Sequence, residues 1–276
     1  MTSPYRPHRV AIAVAPNGGR RTKADHPGIP LTPAELARTA AECLDAGAAM
    51  IHVHVRRPDG RHLLDAEAYR QAINAIRAEV GDRLVVQITT EALGIYTPAE
   101  QIAVLKAVRP EAASLALREL LPDEAAEPDF AEALAWMRQE NVLPQIILYD
   151  PTEALQLAAM IQRGLVPWPD IPVLYVLGRY TANQTSQPTD LLPFLSLGAH
   201  FAHWSVCAFG RHEAACATAA ALLGGHIRVG FENNLYLPDG TLASSNSALV
   251  DATTTPLRSL GYGLCDAAEL REILMQ

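Results

Sequence analysis

The sequence predicts an α/β fold, a single-domain (β/α)8 TIM barrel over residues 1–276, on three observations. Short β-branched runs alternate with longer amphipathic stretches rich in Ala and Leu, the pattern of βα units around a parallel sheet. The strand-like runs number about eight, the count that closes such a sheet into a barrel. The first run is followed by AVAPNGGRRTKADHP, whose two glycines lack the GxGxxG spacing that a doubly wound open sheet normally offers there.

In chain order the strands are expected at Val10–Ala15, Met50–Val55, Leu84–Thr89, Ala112–Leu117, Leu143–Tyr149, Ile171–Leu177, His203–Ala208 and His226–Phe231. Helices are expected between them at Thr32–Ala46, Asp65–Val80, Pro98–Ala107, Phe130–Glu140, Thr152–Gln162 and Glu213–Leu223. The first helix is punctuated at both ends: Thr32, Pro33 and Glu35 make a capping box with Pro at the first helical position, and Gly47 supplies the stop. The longest irregular stretches are Pro16–Pro30, Tyr180–Asp190 and Asn233–Ser245, and loops at strand ends build a barrel's active site, so these are its candidate walls.

A chain of 276 residues that is 49% hydrophobic can bury one large core. With a net charge of -8 and no Lys/Arg stripe to neutralise phosphates, nucleic acid is not expected as a partner. The segment MTSPYRPHRV has no apolar run behind its basic residues and no long apolar stretch follows, so neither secretion nor a membrane is expected. Cys43, Cys207, Cys216 and Cys265 lie far apart without CxxC spacing, which suits idle thiols in a reducing cytoplasm.

The chemistry is concentrated in IHVHVR, where alternation puts His52 and His54 on one side of the second strand and Ile51, Val53 and Val55 on the other. Two neutral imidazoles one strand-step apart make a bidentate metal clamp, although an isolated pair is also compatible with a hydrogen-bonded core histidine. On the eighth strand Arg228, Gly230 and Glu232 share a face by the same rule. Glu232 there completes a His2Glu set that leaves positions open, the arrangement of a catalytic zinc, or else pairs with Arg228. Gly230 leaves room for something to approach. Asn17, Thr89 and Ser114 near strand ends either hydrogen-bond a substrate oxygen or are strand residues satisfied by backbone, and Glu91, Arg118 and Glu119 are either site charges or the first solvated residues of their loops.

With the His-x-His of strand two, Thr-Lys-Ala-Asp-His-Pro after strand one and Gly-Gly-His-Ile-Arg-Val-Gly-Phe-Glu-Asn-Asn before the last loop, the chain resembles the β-keto acid cleavage enzyme family from about Val10 to Leu274. The resemblance implies a homotetrameric barrel with one zinc per chain on His52, His54 and Glu232. It also implies a reaction in which a β-keto acid and acetyl-CoA give acetoacetate and a new acyl-CoA. Zinc suits this as a Lewis acid. Arg228 matches the family arginine that stabilises anionic intermediates, Thr89 replaces a serine hydroxyl, and Ser114 replaces a threonine.

Two departures from the family pattern bear on function. The aspartate tied to proton abstraction is Asn233 here, and an amide is no general base, which turns attention to Glu91 and Glu119. A glutamate that binds the amino group of 3-keto-5-aminohexanoate in the family's prototype aligns near Arg20, so a neutral or anionic β-keto acid is expected instead, met by Arg20, Arg21 or Arg118. A metal-dependent barrel hydrolase also uses His-x-His, but adds histidines after strands five and six, where LPQIILYD and IPVLYVLG have none. A catalytically idle barrel that binds CoA or a small acid is the rival from another class.

Overall fold

The structure, a computed structural model, describes residues 9–275, so the polar segment 1–8 read above lies outside it. Eight strands, β1 (Ile12–Val14), β2 (Met50–Val53), β3 (Val85–Thr89), β4 (Ala112–Ala116), β5 (Leu143–Leu148), β6 (Val173–Leu177), β7 (Trp204–Ala208) and β8 (His226–Val229), pair in parallel in that order and close β8 onto β1. The predicted barrel is therefore the observed one. Around it run α1 (Pro33–Ala46), α2 (Ala66–Val80), α3 (Pro98–Val108), α4 (Leu117–Leu120), α5 (Glu127–Gln139), α6 (Pro151–Gln162), α7 (Leu192–Ser196), α8 (Glu213–Leu222), α9 (Asn246–Ser259) and α10 (Ala267–Met275).

The helices begin where local chemistry starts them. Thr32 Oγ1 accepts from Glu35 N while Glu35 Oε2 accepts from Thr32 N, and Pro33 takes the position with no amide partner to lose. The same device recurs at Thr97–Pro98–Glu100 and Asp150–Pro151–Glu153. Gly47 ends α1 at φ 113, a conformation that L side chains resist.

Strand bounds shift by one or two residues throughout, and three of the shifts have a visible cause. The first run breaks at Ala11: Arg9–Val10 pairs outside the barrel with Gly263–Leu264, and only Ile12–Val14 joins β1. The second ends at Val53, after which Val55–Arg56 leaves to form an antiparallel hairpin with His62–Leu63. The eighth ends at Val229, because Gly230 at φ 137 turns the chain so closely past Ala15 that a Cβ would stand 2.4 Å from its carbonyl oxygen. The approach that Gly230 permits is thus one of backbone.

Side chains pointing into the barrel form layers. The floor is apolar, with Ala11, Met50, Val85, Ala112 and Leu143 sealed by Leu270 and Leu274 of α10. Above it the interior turns polar: Gln87 Nε2 donates to Gln145 Oε1 at 3.2 Å and Gln145 Nε2 to Ser205 Oγ at 3.4 Å. At the C-terminal mouth Ala116, Ile147, Val176 and Phe209 make a second apolar wall. The four cysteines are all free and buried, as their spacing predicts. Among the described residues, no helix is long and apolar enough to cross a membrane.

Candidate metal centre and active site

Strand alternation brings His52 and His54 to the barrel mouth, both about 1% exposed, with ring centroids 5.0 Å apart. Glu232 joins them from the turn after β8, its amide held by Ala15 O at 3.1 Å, so a turn delivers this carboxylate where strand alternation had been expected to. Its Oε2 lies 3.7 Å from His52 Nε2 and 3.7 Å from His54 Nδ1. The ligand atoms of the three residues all lie within 4.8 Å of one another.

The donor set fits a divalent metal by what each ligand atom lacks. His54 Nδ1 and Glu232 Oε2 are buried with no hydrogen-bond partner among the described residues, a costly state for two lone-pair bearers facing each other. The far side of each ring is engaged instead. His52 Nδ1 sits 2.8 Å from Gln87 Oε1 and His54 Nε2 3.0 Å from Glu91 Oε2, which leaves the inward nitrogens as acceptors when the outer ones carry the protons. This is the support that metal-bound imidazoles normally receive. Burial, aided by the Arg228 cation, pushes the His52 pKa down to about 3 and keeps the ring neutral. For Glu232, burial opposes ionisation, but the Arg228 cation beside it outweighs this and holds the carboxyl below its usual range.

Arg228 and Glu232 are also ion-paired at 3.1 Å, so the pairing expected as the alternative is present while Glu232 still lies beside the two histidines. The same guanidinium donates to Cys207 Sγ at 3.3 Å and Asn233 Oδ1 at 3.3 Å, while its Nε has no partner among the described residues.

A small inner chamber opens above these groups. It is lined by the expected His52, His54, Thr89, Glu91, Arg228 and Glu232. Thr89 Oγ1 accepts from Glu91 N at 3.0 Å, which leaves its hydroxyl proton free to donate. For Glu91 burial opposes ionisation, but the hydrogen bond from His54 holds the carboxyl below its ordinary value. A vestibule outside adds Asn17, Arg20 and Arg21. Asn17 is a wall whose amide is already used: it donates to Pro30 O and His54 O, both at 2.9 Å, and accepts from His54 N.

Four expected residues line neither chamber. Ser114 lies one layer down beside Gln145, with its buried hydroxyl unpartnered among the described residues. Arg118 pairs with Glu153 at 2.6 Å and lies over the rings of Tyr149 and Tyr180. Glu119 accepts from Ala92 N at 2.8 Å. Asn233 is fully buried behind Arg228, with its Nδ2 donating to Glu213 Oε1 at 3.4 Å.

Several site groups were not singled out from the sequence. Ala116, Ile147, Tyr149, Val176 and Phe209 line the chamber and sit at strand ends, where alternation marks them, but being apolar or aromatic they read as core. His62 of the hairpin holds Glu91 O at 2.7 Å, and Glu213 of α8 accepts from Gly230 N and the amides of Asn233 and Asn234; no local pattern marks either. Arg179, just past β6, lines both chambers. His26 of the TKADHP segment lies away from the metal ligands, pinning the first loop to the last through Ala243 O at 2.8 Å and the Phe231 ring.

Residues 9–275 match the model of the beta-keto acid cleavage enzyme family. The chain belongs to this family. Family relatives include the 3-keto-5-aminohexanoate cleavage enzyme of Fusobacterium nucleatum, 30% identical over 274 residues that span 96% of this chain and 97% of the relative. The 3-oxoadipate:acetyl-CoA acetyltransferase of Cupriavidus necator is 28% identical over 271 residues, or 95% of this chain and 93% of the relative. Among solved structures, ObcA bound to oxaloacetate superposes with a TM-score of 0.68 at 18% identity, over 90% of this chain and 67% of ObcA, a likeness of fold.

Proposed function

We propose that this chain is a zinc-dependent β-keto acid cleavage enzyme, condensing a β-keto acid with acetyl-CoA to give acetoacetate and a new acyl-CoA. Family membership and relatives named as acetyl-CoA transferases support the reaction class. The observation that carries the metal is the pair of buried, unpartnered atoms His54 Nδ1 and Glu232 Oε2 facing each other beside His52 Nε2. When bound by His52, His54 and Glu232, zinc supplies Lewis acidity toward the oxygens of the keto acid.

The remaining steps fall to the chain's own groups. Glu91, ionised and lining the chamber, takes the proton from carbon 2 of the keto acid, a task closed to the Asn233 amide. Its Oε2 holds His54, so Oε1 is the accepting oxygen. Arg228 stays charged, since the ionised Glu232 beside it offsets the burial that opposes its charge, and its unpartnered Nε is available to the negative charge that develops. Thr89 donates its hydroxyl proton to a substrate oxygen.

The carbon-2 carbanion attacks the acetyl thioester and releases the CoA thiolate, which adds to the carbon-3 keto group. Cleavage between carbons 2 and 3 then yields the acyl-CoA, and the proton held by Glu91 returns to carbon 2 of acetoacetate. Asn17, Arg20 and Arg21 form the entrance, Glu119 fixes the backbone after Glu91, and Ser114 and Arg118 support the walls from behind. The guanidinium groups at the mouth favour a neutral or anionic substrate over a cationic one. A homotetramer of single-domain chains in a reducing cytoplasm completes the reading, in keeping with the four free cysteines.

Mass spectrometry of a mixture of zinc-loaded protein, acetyl-CoA and a panel of β-keto acids tests it. Paired appearance of acetoacetate and the matching acyl-CoA is expected. Ligand binding with neither product from any acid would leave an idle barrel.

A further inference from the structure

The inner chamber and vestibule together present four guanidinium groups, Arg20, Arg21, Arg179 and Arg228, against two carboxylates, Glu91 and Glu232. Both carboxylates are engaged, Glu91 by His54 at 3.0 Å and Glu232 by Arg228 at 3.1 Å. Behind the wall Arg56, 8% exposed, adds a cation whose guanidinium donates to the carbonyls of Asn17, Gly18, Gly60 and Arg21. Glu119 and Glu213 also lie behind the wall, and burial pushes both carboxyls toward the neutral form. A divalent metal held by His52, His54 and Glu232 would add further positive charge. One substrate carboxylate does not balance this field.

The guanidinium groups differ in how far their protein contacts use them. Arg228 holds Glu232, Cys207 and Asn233, Arg21 donates to Phe231 O at 2.5 Å, and Arg20 is exposed to solvent. Arg179 alone of the four lines both chambers, and its side chain is only 12% exposed. Among the described residues its guanidinium donates no hydrogen bond. Its nearest carboxylate oxygen is Glu91 Oε1 at 3.8 Å, Glu119 and Glu232 act on it only at longer range, and its central carbon lies over the Phe209 ring, 5.1 Å from the centroid. A planar fork of donors, partly desolvated, steadied by an aromatic ring and lacking an acceptor, is suited to bind a carboxylate in bidentate fashion.

We propose that Arg179 is the specificity-determining residue for a β-keto acid bearing a second carboxylate, and that it binds this carboxylate distal to the metal-bound end. The inference rests on the reading of the site as one for β-keto acids. It narrows the substrate class from neutral or anionic acids to dicarboxylic ones. The first carboxylate is left to the metal centre and Arg228, and the second reaches the junction of the two chambers.

Calorimetric binding to zinc-loaded protein without CoA tests this, using 3-oxoadipate and its distal amide, which keeps the length but not the second charge. Wild type is expected to favour the diacid by about 30-fold, Arg179→Gln to bring the ratio below about 3-fold, and Arg179→Lys to retain part of the preference. A ratio unchanged in Arg179→Gln, or no preference in wild type, overturns the proposal. Because CoA is absent, a loss cannot come from contacts to its phosphates. Because the readout is binding, it is separate from the proposed reaction, whose failure would appear as absence of acetoacetate from every acid.

Discussion

His54 Nδ1 and Glu232 Oε2 face each other at 3.7 Å inside the barrel mouth, both buried and both without a hydrogen-bond partner among the described residues. A metal cation held between two acceptors so placed would satisfy both. His52→Ala and His54→Ala are therefore expected to reduce bound metal from one per chain to well under half, with the circular dichroism spectrum of the barrel retained. Stoichiometric metal in either variant contradicts the ligand assignment.

Glu91 supports the same centre from outside through His54 Nε2 at 3.0 Å. Removing such a carboxylate acceptor typically weakens metal binding by about 10–100-fold. Glu91→Gln is expected to show a loss of this size in chelator competition, together with a fall in acetoacetate formation that excess zinc does not restore. Full recovery of turnover in saturating zinc would remove Glu91 from proton transfer and leave it a metal-supporting role alone.

The histidine pair was legible because period-2 alternation inside a buried strand leaves the side chains no choice of side. Glu232 does lie beside the two histidines, but not by strand alternation: the strand stops at Val229 and a glycine turn presents the carboxylate. Arg179 was not legible. Its position depends on the following loop, where Gly178 at φ 76 passes Thr185 so closely that a Cβ would stand 2.6 Å from its carbonyl oxygen, and such tertiary contacts leave no local pattern. Nor was α10, nine residues whose Leu270 and Leu274 matter only once a barrel floor exists to receive them.

Gly230 cannot accept a side chain, since a Cβ would meet Ala15 O at 2.4 Å in a backbone of φ 137. Gly230→Ala is expected to cost about 3 kcal/mol in urea unfolding and to weaken metal binding by displacing Glu232. A variant as stable as wild type would mean that this turn relaxes freely.

Burial pushes the Glu213 carboxyl up to about 8, despite hydrogen bonds from Asn234, Gly230 and Asn233 that favour its charged form. A carboxyl raised above its ordinary 4.5 holds a proton in the folded chain that the unfolded chain has released. Its contribution is complete below about pH 4.5 and is lost as pH rises through about 8. Wild type is expected to lose stability relative to Glu213→Gln across this interval, read as diverging denaturation midpoints. Parallel midpoints would show that the carboxyl is ionised in the fold.

The central claim, that this barrel carries out its chemistry on a metal held by His52, His54 and Glu232, is tested most directly by the rate of acetoacetate formation from acetyl-CoA and a β-keto acid as zinc is added back to metal-stripped protein. The rate is expected to start near zero, rise linearly and break at one equivalent per chain. Formation of acetoacetate at the full rate before any metal is added would contradict the account.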